Sequence, residues 1–138
     1  MAGGFRQLPA QRLAVLKETH AEVDVPAVLA LHHPLLPVGA PWLDKDCVPD
    51  GAALLEWLAT QSSVRGVFFG HVHQAVEARY RQIKLWGTPS TCFQFAPGSE
   101  TFTVDQRQPG YRWITLTGAG VIRTQVQRLR DVPLHIQL

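Results

Sequence analysis

Pro26-Ala27-Val28-Leu29-Ala30-Leu31-His32-His33-Pro34 and Val64-Arg65-Gly66-Val67-Phe68-Phe69-Gly70-His71-Val72-His73 decide the reading of this chain. Pro26–Leu31 is a continuous apolar run, the pattern of a strand buried on both faces. Val64–Phe69 reads as a second buried strand that stops at Gly70. Each run delivers histidines at its carboxyl end, and open α/β sheets bind ligands just beyond the carboxyl ends of their strands. If the two strands lie side by side, the two histidine-bearing loops converge.

The flanking segments fit that scheme. Leu8 to about Glu22 reads as a helix, with Pro9 in its first turn and Leu13 and Leu16 at helical spacing. Pro34 to Pro49 is rich in proline and reads as a long loop, which inside a compact domain is more often functional than idle. Asp50 is the expected N-cap of a helix running to about Gln61, with Leu54, Leu55 and Leu58 on one side. Beyond residue 75 the pattern turns antiparallel. Val76–Tyr80 and Ile83–Trp86 alternate around a short turn, and Tyr111–Thr117 and Val121–Leu129 flank Gly118-Ala119-Gly120, so two hairpins are predicted. Thr91–Phe95 and Phe102–Val104 are shorter strand candidates.

Composition sets the frame. The chain has 138 residues, 46% hydrophobic and 17% charged, which is one globular domain and excludes a disordered or collagen-like chain. No apolar run reaches the ~20 residues that span a bilayer, and Met1–Gln7 lacks the apolar core of a signal peptide. Two cysteines, Cys47 and Cys92, make no disulfide framework, so reduced thiols and a cytoplasmic location are expected. Net charge is +2, unevenly placed: residues 79–130 carry eight basic side chains against Glu100 and Asp105. That excess reads either as a solvated strand face or as a field that draws in a phosphate-bearing ligand. It lacks the interleaved aromatics of a nucleic-acid binder.

Neutral imidazole is the commonest ligand for zinc, iron and manganese-type sites. His71 and His73 are two apart and would point the same way from extended backbone, and a bend at Gly70 would let both face one cation. His33 reads more simply as a hydrogen-bonding cap after its strand, and His20 and His135 as surface residues. Spacing alone leaves metal binding and strand capping both open.

Leu29-Ala30-Leu31-His32-His33-Pro34, Gly70-His71-Val72-His73 and Thr88-Pro89-Ser90-Thr91-Cys92-Phe93-Gln94-Phe95 together resemble the C-terminal half of a calcineurin-like metallophosphoesterase, in the branch of bacterial class III 3′,5′-cyclic-AMP phosphodiesterases. Trp42-Leu43-Asp44, Pro109-Gly110-Tyr111-Arg112 and the final hairpin are similar to that branch too. The resemblance implies an α/β fold in which residues 1–138 form a single domain. That domain is half of an α/β/β/α sandwich, with a mixed sheet, two helices and C-terminal antiparallel hairpins. It implies metal ligation by His32 and His71 on one ion and by His73 on the other of a dinuclear pair.

The family's upstream Asp-x-His, Gly-Asp and Gly-Asn-His-Asp motifs do not occur in these 138 residues, which contain no asparagine at all. The expectation is therefore a truncated phosphodiesterase with an incomplete dinuclear site. It would hold at most one divalent ion (Fe, Mn or Zn) on His32, His71 and His73, with weak or absent turnover alone and no catalytic residue assigned. A non-catalytic metal- or phosphate-binding module, and a subunit completing its site in trans, are the alternatives. Expected partners are a cyclic nucleotide or other phosphodiester and a second copy of the chain, since a sheet missing its covering layer should form a homodimer or higher oligomer. Neither nucleic acid nor membrane is expected.

Overall fold

The computed structural model describes residues 10–21 and 24–133. Its elements are α1 (Ala10–Ala21), β1 (Ala27–Leu31), α2 (Pro41–Asp44), α3 (Gly51–Thr60), β2 (Val64–Phe69), β3 (Val76–Tyr80), β4 (Ile83–Gly87), β5 (Gln94–Phe95), β6 (Val104–Asp105), β7 (Gly110–Leu116) and β8 (Ile122–Arg128). The expected helix ends at Leu8 and Glu22, Pro9 in the first turn, and His135 all lie outside the described residues.

The central sheet runs β1-β2-β4-β3. β1 and β2 are parallel, as are β2 and β4, whereas β3 and β4 form the predicted hairpin with Tyr80 opposite Ile83. The fold is thus a mixed α/β sheet followed by antiparallel hairpins, and the strand carboxyl ends of β1, β2 and β4 share one edge. Side chains alternate across a strand, which sorts the sheet into two faces. Val67, Phe69, Ile83 and Leu85 join Leu54, Leu55 and Leu58 of α3 in the main core. On the opposite face Phe68 stacks on Trp86 with ring centroids 4.9 Å apart.

That second face is covered by the chain's own β7–β8 ribbon, whose strands pair Leu116 with Ile122 and Gly110 with Arg128. A methyl group added at Gly66 would stand 3.2 Å from Ile122 Cδ1 and 2.6 Å from the Trp86 ring, so the ribbon packs directly on β2. Arg112 ties the ribbon to the sheet by donating to the Gly87 carbonyl at 3.0 Å and to Thr124 Oγ1 at 3.2 Å, and its side chain is almost wholly buried. The sequence places β2 and β1 alike as strands with an uncovered inner face. The structure corrects this for β2, and for β1 it corrects the reading as a strand buried on both faces. β2 is buried throughout except at Arg65, whereas β1 is an edge strand, only half-buried and with Ala30 exposed. Further exposed apolar surface lies on the ribbon, where Trp113 is 58% and Leu116 53% exposed.

Smaller differences have local causes. The Pro34–Pro49 loop contains the one-turn helix α2, because Asp44 accepts backbone N–H bonds from Val38 at 2.7 Å and Gly39 at 3.2 Å and folds the loop back on itself. Asp50 does flank α3, but its side chain makes no cap bond; its carbonyl accepts from Leu54 N–H at 2.9 Å. The candidates Thr91–Phe95 and Phe102–Val104 shrink to the two-residue strands β5 and β6, since Ser90 and Gln94 satisfy much of that segment through side chains.

Candidate metal centre

The parallel register of β1 and β2 sets the site. Leu31 lies opposite Phe69, and the Gly70 N–H donates to the His32 carbonyl at 3.0 Å, so the two histidine loops leave the sheet side by side. Nδ1 of His71 stands 3.3 Å from Nε2 of His32. The His33 ring lies over His71 with centroids 4.4 Å apart and meets His32 edge-on at 4.9 Å. Each of the three offers a ligand nitrogen within 4.8 Å of the other two, a group of metal-ligating donors among the described residues. His32 is exposed and His33 and His71 half-buried, so the cluster opens to solvent.

The loop geometry differs from the extended one expected of His71 and His73. Their φ angles are 62° and 47°, both left-handed, and Val72 between them is fully buried. Histidine is among the non-glycine residues that adopt this region most readily. The two rings therefore serve different surroundings. His71 reaches His32 and, through Nε2, the Asp46 carboxylate at 3.2 Å. His73 donates Nδ1–H to the Phe93 carbonyl at 2.9 Å and stacks on Phe95 at 4.3 Å, almost parallel. Burial pushes the His73 pKa down and so favours the neutral ring, against the opposing pull of the Phe93 carbonyl. His73 is not a member of the 4.8 Å cluster, whereas His33, expected to cap its strand, is.

The donor set fits a divalent cation. Two ligand nitrogens bound at ~2.0–2.1 Å in tetrahedral geometry stand about 3.3 Å apart, which is the separation of His71 Nδ1 and His32 Nε2. An imidazole that gives Nε2–H to a carboxylate such as Asp46 would keep its lone pair on Nδ1, the nitrogen of His71 that faces His32.

Other predicted features resolve differently. His20 is half-buried rather than a surface residue: Nε2 lies 3.0 Å from Ser63 Oγ and the ring meets Trp57 edge-on. Of the basic side chains in 79–130, Arg81 pairs with Glu56, Arg107 with Asp105, and Arg112 and Arg128 donate to backbone carbonyls. Asp46 was invisible to spacing rules because it sits in the proline-rich loop, 25 residues from the histidine it meets. The adjacency of His33 to His32 was the one available signal for the third ring.

No family model matches the chain. Among curated proteins it is similar to the 3′,5′-cyclic adenosine monophosphate phosphodiesterases CpdA of Haemophilus influenzae, at 38% identity over 91% of this chain and 46% of that protein, and of Vibrio vulnificus, at 44% over 74% of this chain and 37% of that protein. The corresponding Escherichia coli K12 enzyme is 36% identical over 88% of this chain and 42% of its own length. The chain thus spans less than half the length of these relatives. No helix among the described residues is long and apolar enough to cross a membrane. Over most of its own length the chain is thus similar to part of the 3′,5′-cyclic-AMP phosphodiesterases, in keeping with the metallophosphoesterase resemblance of its strand-end histidine motifs.

Proposed function

We propose that these 138 residues form the histidine-rich part of a metal-dependent phosphodiesterase acting on cyclic AMP or a related phosphodiester. The observation that carries this reading is the 3.3 Å approach of His71 Nδ1 to His32 Nε2 in a chain whose relatives are named cyclic-AMP phosphodiesterases. His32 and His71 would hold one divalent cation, with His33 beside them. His73 would serve a second, since its Nδ1–H is fixed on the Phe93 carbonyl and its Nε2 keeps the lone pair. When bound, such cations polarise a phosphoryl oxygen and lower the pKa of bound water. The protein's own contribution is to orient these rings: the β1–β2 register brings the loops together, and the buried Val72 anchors the turn between His71 and His73.

The family's dinuclear centre also uses Asp-x-His, Gly-Asp and Gly-Asn-His-Asp motifs, none of which occurs in these 138 residues. Hydrolysis by this chain alone is therefore at most a trace. The test is turnover of cyclic AMP and bis-p-nitrophenyl phosphate by the purified chain with Mn²⁺, Zn²⁺ or Fe²⁺. Trace activity supports the reading. Turnover at ordinary enzyme rates, ~1–10³ s⁻¹, abolished by His71→Ala, would instead mean that copies of this chain complete the site in trans.

A further inference from the structure

We propose that Asp46 is the positioning carboxylate of this centre, holding His71 in the tautomer and orientation that direct Nδ1 at the cation. The inference rests on the reading of the histidine cluster as a metal site and adds to it a residue from outside the histidine motifs.

Four observations carry it. Asp46 Oδ2 lies 3.2 Å from His71 Nε2, on the side of the ring away from His32. An imidazole can present only one nitrogen to a metal while the other keeps its N–H, and ligating histidines commonly give that second N–H to a carboxylate. The contact is sheltered, with 24% of the His71 side chain and 28% of Asp46 exposed, so it is screened less than a surface pair. The backbone beneath Asp46 is pinned: its N–H donates to Leu43 O at 2.9 Å, Leu43 is 1% exposed, and Val48 N–H donates to Pro34 O at 3.0 Å. Asp44, the other acid of this loop, uses both oxygens on the Val38 and Gly39 amides, so the two acids have separate tasks.

The arrangement also addresses a cost. His71 holds a left-handed φ of 62°, which a side-chain-bearing residue maintains only where its surroundings over-determine it. Asp46 on one nitrogen and His32 on the other fix the ring from both sides. Asp46 thereby contributes a negative charge next to a cation otherwise held by neutral rings, in a chain that lacks the upstream carboxylates.

The test is titration of the full 138-residue chain with Co²⁺, followed by its visible d–d absorption, for the unaltered protein and for Asp46→Ala, Asp46→Ser and Asp46→Asn. Alanine and serine cannot reach His71, and each is expected to weaken Co²⁺ binding ~10–100-fold and to change the band. Asparagine keeps an accepting oxygen and should recover part of the loss. Melting curves without cobalt identify which truncations fold, and a merely structural role predicts no band change and no recovery by asparagine. If a folded truncation binds Co²⁺ within about twofold of the unaltered chain with the same band, the role of Asp46 is overturned while the metal site stands. If the unaltered chain takes up no Co²⁺, both the site and the role of Asp46 fall together.

Discussion

Nδ1 of His71 and Nε2 of His32 face each other at 3.3 Å across 39 residues of sequence. Nothing local to either histidine produces this. It follows from the pairing of Leu31 with Phe69 and the bond from Gly70 N–H to the His32 carbonyl, both properties of the sheet. Phe69, 2% exposed, packs in the core immediately below the loop. Phe69→Ala is expected to cost ~3–5 kcal/mol of stability, read as a lower urea midpoint, and to lower metal affinity as the loop loses its support.

Gly51 allows the first turn of α3 to lie against the loop after His33. A Cβ there would come within 2.5 Å of the Leu35 carbonyl oxygen, which is backbone and cannot swing aside. Gly51→Ala is expected to destabilise the fold by ~1–3 kcal/mol. Chemical denaturation of the two proteins checks it.

The three clustered rings are not equivalent. His71 has one nitrogen on His32 and the other on Asp46, and its position matches a ligand of the resembled family's motif where that of His33 does not. His71→Ala should therefore weaken Zn²⁺ binding more than His33→Ala, measured by competition with a chromophoric chelator. Equal losses would make His33 a ligand of the same rank.

The two thiols should differ in reactivity. Burial first, and then the nearby Asp44 and Asp46 carboxylates, raise the Cys47 pKa, so at a given pH less of it is thiolate; Cys92 is exposed. Because only the thiolate reacts, iodoacetamide at neutral pH should label Cys92 first. Raising the pH should speed Cys47.

The β7–β8 ribbon presents Trp113, Ile114 and Leu116 to solvent at 58%, 39% and 53% exposure. Apolar surface of this kind favours association. Sedimentation equilibrium at micromolar concentration is expected to find a dimer or larger species, weakened by Trp113→Arg. A monomer would show that the ribbon is stable wet.

The strands β1 and β2 and both hairpins were legible because these segments carry strong apolar and alternating patterns bounded by glycine and proline, whereas the parallel pairing of β2 with β4 was not. Which face of β2 would be covered was not, because burial on both sides looks the same whether a helix, another domain or the chain's own ribbon supplies the second layer. At the site, His32 and His71 were legible from their positions at strand ends. The separation of His73 was not, since it depends on the left-handed φ of both histidines and on the packing of Val72. Asp46 belongs to a loop whose path is set by the Asp44 side chain folding back on Val38 and Gly39, an arrangement that no spacing rule encodes.

Metal stoichiometry tests the central claim most directly. The purified chain is equilibrated with Zn²⁺ or Mn²⁺, dialysed against metal-free buffer and assayed for bound metal by elemental analysis, alongside the His32→Ala/His71→Ala double variant. The account predicts about one tightly held ion per unaltered chain, as expected of a cluster of three imidazoles with open positions, and none in the variant. An unaltered chain without metal, or a folded double variant that retains it, would contradict the assignment of this cluster.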